Sequence, residues 1–301
     1  MKRGRVILLG ASSQIGVFTA PRLVAAGFRV LAVSRKPAPK WYPALDGVRW
    51  VLPGSLAAGV GRSADHLVSA GPVAAAADLA ANLTRLKRAV VFSTSSVFSK
   101  LESHDRREKR QMQQIVMDEA RLSTACETNG TILSLYRPTL VYGCGMDGNV
   151  SWLARWIRKF GFMPIAGRAE GLRQPVHADD LAAAAVATLA SESPLALDVP
   201  LCGGSTLSFR EMVEMIFRAL DRPVRIIGLP GGVFTALIRI GRIHPKLRNV
   251  RAEMVRREAV DLVFDDSTPR RVLGYEPRAF EPGPADFRLP TPEYLRELAF
   301  G

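Results

Sequence analysis

A doubly wound α/β fold built on a parallel sheet is what this sequence predicts. Two patterns carry that prediction. Short apolar runs recur along the first half of the chain, separated by helical segments. The runs are continuously apolar rather than alternating, as strands covered on both faces must be. The first of them also leads directly into a glycine-rich turn and a helix. Strand-helix-strand repetition of this kind winds through right-handed crossovers.

The elements follow in order. Residues 6–9, 30–33, 49–52, 66–69, 90–93 and 132–136 read as strands. Residues 14–26 and 105–127 read as helices, closed by Gly27 and Gly130 in the manner of C-terminal stops. The pattern changes after Tyr142, where Gly143, Gly145 and Gly148 mark a loop. Beyond it, helices are expected over 151–160, 178–190 and 209–220, and strands over 195–200 and 224–227. The proline-rich stretch 278–292 is expected to wrap the surface. Residues 1–143 are then expected to form one domain and 144–301 a smaller, mostly helical second region. Residues 178–200 are expected to return to the first sheet.

Composition bounds the rest. The 301 residues are 48% hydrophobic and 23% charged, which excludes collagen-like, coiled-coil and wholly disordered chains. The formal charge is +13, which points to an anionic partner or to an arginine-rich coding bias, since 33 of the 41 cations are arginine. Cys126, Cys144 and Cys202 form no paired spacing, and His66, His104, His177 and His244 are scattered, so no disulfide framework and no metal site are expected. A cytoplasmic chain is expected, without a secretory leader or a membrane span. Nucleic-acid binding would rest on charge alone, with no motif, so none is expected.

The glycine-rich turn is the first chemical signal. Gly10-Ala11-Ser12-Ser13-Gln14-Ile15-Gly16 joins the first strand to the first helix. Gly10 makes the turn and Gly16 allows helix to pack closely on sheet. The backbone N–H groups and the helix N-terminus can then meet a pyrophosphate. The second strand ends in Ser34-Arg35-Lys36, where a reader of free ribose hydroxyls would carry Asp or Glu. A hydroxyl and two cations suit a 2′-phosphate instead, so NADP is expected ahead of NAD.

Further along, Leu52-Pro53-Gly54-Ser55-Leu56 follows the third strand, and Val91-Phe92-Ser93-Thr94-Ser95-Ser96-Val97-Phe98 spans the fifth. Leu135-Tyr136-Arg137-Pro138-Thr139-Leu140-Val141-Tyr142-Gly143 and Arg173-Gln174-Pro175-Val176-His177-Ala178-Asp179 come later, and Leu273-Gly274-Tyr275 later still. With the turn, these segments resemble the extended short-chain dehydrogenase/reductase superfamily, in its NAD-dependent epimerase/dehydratase branch, over nearly the whole chain. The resemblance implies a Rossmann-type fold and a nicotinamide dinucleotide. Its cofactor contacts map to Gly10, Ser12, Ser13, Gln14, Ile15 and Gly16, to Ser34, Arg35 and Lys36, and to Ser55, Leu56, Pro138 and Thr139. Ser13 and Ser55 replace the family's middle glycine and its adenine-contacting aspartate.

The family's chemistry uses a Ser/Thr and a Tyr-x-x-x-Lys pair, in which Lys lowers the Tyr pKa for proton exchange during hydride transfer. This chain has no Tyr-x-x-x-Lys. Aligning the family's following glutamate with Glu119 puts Gln111 and Ile115 at the two positions. Two readings follow. In one, Thr94 or Ser95 holds the substrate oxygen and Lys100 supplies a cation or proton, with Tyr142 as another donor. In the other, the protein binds NADP(H) without catalysis, as a sensor or assembly partner. The short spans between the third, fourth and fifth strands imply helices shortened or lost there, so the oligomeric state stays open.

On the substrate side, the resemblance implies a cleft for an anionic small molecule such as a nucleotide sugar, with Tyr142, Asn149, Arg155, Arg173 and His177 as binding residues. The 149–167 stretch also carries Trp152, Trp156, Arg158 and Lys159. A basic helix bearing Trp suits peripheral membrane contact as well as a solvated face. The 228–242 stretch poses the same choice.

Overall fold

The computed structural model describes residues 3–57, 59–101, 105–230, 232 and 260–301. His104, His244 and residues 233–242 of the apolar stretch lie outside them.

The central sheet has seven parallel strands. They are β1 (Arg5–Leu9), β2 (Arg29–Val33), β3 (Val48–Val51), β4 (His66–Ser69), β5 (Arg88–Phe92), β6 (Ile132–Pro138) and a late strand (Asp198–Leu201). The spatial order is late strand-β6-β5-β4-β1-β2-β3. Val6 and Leu8 of β1 face one apolar layer, with Val30, Val68, Val90 and Tyr136. Ile7 and Leu9 face the other, with Leu67, Val91 and Leu135. This two-sided burial is why the strands read as unbroken apolar runs.

Helix α1 (Gly16–Ala25) starts two residues later than expected, because Gln14 and Ile15 belong to the turn. Pro21 inside it lacks the N–H that would bond the Val17 carbonyl, and the Tyr42 hydroxyl donates to that oxygen instead, at 3.4 Å. The third and fourth strands are bridged by the short α2 (Pro53–Ala57), as the spacing implies. The fourth and fifth are not stripped of helix. A ten-residue α3 (Val73–Asn82) fits there, because Ala76, Ala77 and Ala80 let it pack closely beside a long helix. After the short α4 (Ser96–Lys100), that long helix is α5 (Arg106–Thr128), whose first turn Asp105 caps by accepting from the Arg107 N–H at 2.8 Å.

Beyond β6 come β7 (Leu140–Tyr142), α6 (Val150–Phe160), β8 (Met163–Ala166), β9 (Leu172–Arg173), β10 (Pro175–His177) and α7 (Ala178–Ala190). The late strand of the central sheet is β11, followed by β12 (Leu207–Ser208), α8 (Phe209–Ala219), β13 (Ile226–Leu229), α9 (Ser267–Leu273) and α10 (Pro292–Phe300). β10 pairs with β7, β12 with β9 and β13 with β8, outside the central sheet. These short pairings span two to four residues, too few to show a period in the sequence. Helix α8 starts with a reciprocal capping box between Ser208 and Glu211. A third apolar cluster, including Leu153, Ile165, Val213 and Phe217, unites α6, β8 and α8.

The tail is pinned rather than loosely wrapped. Phe280 is fully buried, the Tyr275 hydroxyl donates to the Cys202 carbonyl at 2.8 Å, and α10 packs on α1. Asp179, on the first turn of α7, joins these parts. One carboxylate oxygen accepts from Arg22 Nε of α1 at 2.5 Å, and the other from Arg278 of the tail at 2.9 Å. Arg278 also reaches Asp180 at 2.7 Å.

Burial opposes ionisation of Asp179, yet Arg22 and Arg278 outweigh it and hold its carboxyl below the ordinary value of 3.8. Asp179→Asn leaves two guanidinium groups facing an uncharged amide. It should lower the unfolding free energy by about 3 kcal/mol in a urea titration at neutral pH. A depressed native pKa contributes stability above the unfolded value and loses it as pH falls through the folded value. The deficit of Asp179→Asn relative to the parent should therefore shrink below about pH 4.

Candidate functional site

The order β4-β1-β2 places a switch point between β1 and β4, where successive connections leave in opposite directions and ligands bind in such sheets. The loops that follow these strands fit closely there. Gly10 has φ of +69°, and a Cβ on it would lie 2.6 Å from the Ala70 carbonyl oxygen. A Cβ on Gly16 would lie 2.1 Å from the Gly10 carbonyl oxygen. Both glycines are thus required by backbone approach. Ser13 occupies the middle of the turn without strain, and its Oγ accepts from the Gly16 N–H at 3.1 Å. Among the described residues, the N–H groups of Gln14 and Ile15 find no acceptor, and the buried Gln14 Nε2 has no partner. Two backbone donors and a helix N-terminus at this point can hold a pyrophosphate.

Ser34, at the end of β2, is buried and bonds through its Oγ to Ser12 Oγ at 2.7 Å. Arg35 and Lys36 follow it and are exposed. Ser55 and Leu56 stand on α2, and Leu56 packs into an apolar layer of the sheet.

A cavity of about 630 Å³ begins at the turn and is lined by Ser13, Gln14 and Ile15. Thr94, Ser95 and Lys100 line it from the end of β5 and from α4, and Thr139 from the end of β6. Thr94 Oγ1 accepts from the Ser96 N–H at 3.1 Å, which leaves its hydroxyl hydrogen available to a ligand. The Pro138 carbonyl accepts from the Ser95 N–H at 3.2 Å and ties this loop to β6. Thr139 is held by its own hydroxyl, which donates to the Gln174 carbonyl.

Of the substrate-side candidates, Asn149 and Arg173 line the cavity. Arg173 is buried, donates to the carbonyls of Leu172 and Val260 at 2.7 Å each, and lies 5.9 Å over the Phe209 ring. Arg155 points elsewhere, donating to the carbonyls of Gly145 and Asp147 at 3.1 and 3.2 Å, and so shapes the loop before α6. Tyr142 and His177 are core residues. Their rings pack edge to face at 5.1 Å, and burial pushes the Tyr142 phenol well above its usual pKa. His177 Nδ1 accepts from the Asp179 N–H at 3.1 Å, while Nε2 lies 3.2 Å from Asp286. A Cβ on Gly143 would fall 2.1 Å from that Nε2.

Sequence reasoning did not find the apolar wall made by Met163, Phe209, Met212, Leu262 and Phe264. Nor did it find the clamp by which the Gln174 amide bonds both backbone groups of Phe264, at 2.8 and 3.3 Å. Each residue is an ordinary apolar or amide side chain in its own segment, and only the fold brings them together.

Helix α5 is anchored by a buried ion pair. Glu119 is buried beside Arg137 at 2.7 Å and accepts from the Ser93 hydroxyl. Arg137 also meets Asp198 at 2.8 Å. Upstream of Glu119 on the same helix, Gln111 is exposed and Ile115 half-buried, and neither lines the cavity. His177, Asp179 and Asp180 form a group whose ligating atoms lie within 4.8 Å of one another. Asp286 engages the His177 ring, and Arg22 and Arg278 pair with the two carboxylates, so the ligating atoms of the group are already taken.

Comparison with known proteins places this geometry. No family model matches the chain. An uncharacterized protein of Sinorhizobium fredii, y4nG, is 27% identical over 164 residues, which are 51% of this chain and 38% of that relative. The epimerase Mth375 of Methanothermobacter thermautotrophicus superposes with a TM-score of 0.71 at 15% identity, covering 98% of this chain and 92% of that one. The UDP-glucose 4-epimerase of Thermus thermophilus, solved with NAD, gives 0.67 at 16% identity, over 97% and 99%. The UDP-N-acetylglucosamine 4-epimerase of Bacillus cereus gives 0.64 at 12% identity, over 98% and 95%. The chain has the Rossmann-type fold of the NAD-dependent epimerases and dehydratases. Among the described residues, no helix is long and apolar enough to cross a membrane.

Gly16→Ala forces its Cβ against the Gly10 carbonyl and should abolish dinucleotide binding in a fluorescence titration, with a lowered Tm. Unchanged binding would show that the turn is not the pyrophosphate cradle.

Proposed function

We propose that this protein binds a nicotinamide dinucleotide across the switch point and acts on an anionic small molecule of the nucleotide-sugar class. The observation that carries the reading is the continuity of one cavity. It runs from the Gln14 and Ile15 N–H groups, past Thr94 and Lys100, to the buried Arg173. Its volume suits a small-molecule site. A nicotinamide ring, when bound, supplies hydride chemistry. Thr94 Oγ1 donates to a substrate oxygen, and Lys100 Nζ, on the same wall, places positive charge or a proton beside it. Arg173 attracts an anionic group, and Trp152 and Phe209 offer faces for a base or sugar ring.

The cofactor is NADP rather than NAD on this reading, because Arg35 and Lys36 are exposed beside the end of β2 with no carboxylate at Ser34. Arg35→Ala should weaken NADPH binding by about tenfold or more and leave NADH binding unchanged. Equal, tight binding of both cofactors by the parent would remove the argument.

A second reading is favoured by Gln111 and Ile115, which leave α5 without a phenol or ammonium on the cavity wall. It makes the protein a non-catalytic NADP(H)-binding sensor or assembly partner. Screening nucleotide sugars for hydride transfer separates the two. On the catalytic reading, turnover falls by about a hundredfold or more in Thr94→Val and Lys100→Ala. It stays at the parent level in Gln111→Ala. Tight NADPH binding without turnover of any sugar nucleotide would favour the second reading.

A further inference from the structure

We propose that the ridge formed by α6, β8 and β13 docks on an anionic membrane surface. Residues 150–166 and 222–229 carry five cations and no Asp or Glu; Arg158, Lys159, Arg222 and Arg225 are exposed, while Arg155 is turned to the carbonyls of Gly145 and Asp147. The two stretches are one surface, because β13 pairs in parallel with β8, Ile226 opposite Met163, and the Met163 N–H donates to the Arg225 carbonyl at 2.9 Å.

Large apolar side chains stand out of this basic field. Phe160 is 44% exposed, Val224 44% and Ile227 47%. Phe160 belongs to an aromatic row. Its ring centroid lies 4.4 Å from that of Trp156, which lies 5.5 Å from Trp152, and 6.5 Å from that of Phe162. Lys159 lies 4.8 Å over the Phe160 ring, so cation and aromatic ring share one spot on the surface. The Trp156 Nε1 donates to the Phe162 carbonyl at 3.0 Å and fixes the row against the backbone.

Exposed aromatic and aliphatic side chains in a mainly cationic face, with Asp221 at its edge, match the headgroup level of an anionic bilayer. The rings enter the interface, while Lys and Arg meet lipid phosphates. A nucleic-acid surface would use the cations but leaves Val224 and Ile227 without a role. The same helix lines the cavity through Trp152 and Leu153, so docking would bring the cavity wall to the membrane. The proposal is independent of which substrate the cavity takes.

The test is flotation of the full chain with vesicles of phosphatidylglycerol and phosphatidylcholine, against vesicles of phosphatidylcholine alone. Binding is expected only with the anionic lipid and should weaken by about tenfold when salt is raised well above physiological strength. The pair Phe160→Ser and Ile227→Ser should reduce partitioning at fixed low salt, and Lys159→Glu with Arg225→Glu should abolish it. All four positions are exposed, so thermal melting and NADPH titration should match the parent. No flotation with anionic vesicles overturns the proposal. So does flotation unaffected by either pair. Retention on heparin or RNA without flotation assigns the ridge to another polyanion and overturns it. A dimer lost in Phe160→Ser, again without flotation, assigns it to a second copy and does the same.

Discussion

The buried carboxylate of Asp179 is the interaction on which the rest of the structure depends. It lies at the start of α7, almost fully buried, between guanidinium groups from two distant parts of the chain. Arg22 brings α1, the helix that follows the glycine turn. Arg278 brings the tail, which continues into α10 and returns to α1. An unpaired charge at that depth would cost several kcal/mol, so the three segments must meet before the carboxylate can be ionised there. The His177 ring, by accepting from the Asp179 N–H, ties the same point to β10 and to the 3-10 turn Pro284–Phe287.

That junction lies behind the crevice rather than in it. The crevice is built from the carboxyl ends of β1, β4, β5 and β6, and its chemistry is divided between its ends. The turn contributes backbone donors and a helix terminus. The hydroxyls of Thr94 and Ser95 stand midway, and Arg173 and the apolar wall close the far side. The second buried ion pair, Glu119 with Arg137, sets where α5 lies against β6. Upstream on the same helix, Gln111 and Ile115 stand off the cavity wall. The cavity polar groups then come from the loop after β5 instead of from the helix.

The +13 charge divides into parts with different surroundings. Arg137 is internal, Arg22 and Arg278 are half-exposed, and all three are neutralised by carboxylates. Arg173 is internal, held by carbonyls and an aromatic ring. Arg155 braces a loop. Arg35 and Lys36, with Arg158, Lys159, Arg222 and Arg225 of the α6, β8 and β13 ridge, face solvent and remain available to anions. A net charge taken from composition mixes these groups, although only the last can act on a partner.

The sequence by itself determined the sheet, the glycine turn and the absence of a Tyr-x-x-x-Lys spacing. Each is a local matter: continuous apolar runs report burial on both faces, Gly10 and Gly16 report close backbone approach, and a missing Tyr-x-x-x-Lys is read directly. It left α3 open, as shortened or lost, because a run of alanines between two strands is apolar on every side and marks no face. It could not show that Arg155 turns to loop carbonyls, that Tyr142 and His177 pack against each other, or that Phe264 closes the cavity through Gln174. Those outcomes depend on contacts between residues far apart in the chain. Only the tertiary structure decided which cations are neutralised, which line the cavity and which reach solvent, because a side chain's charge is local while its partner is set by the fold.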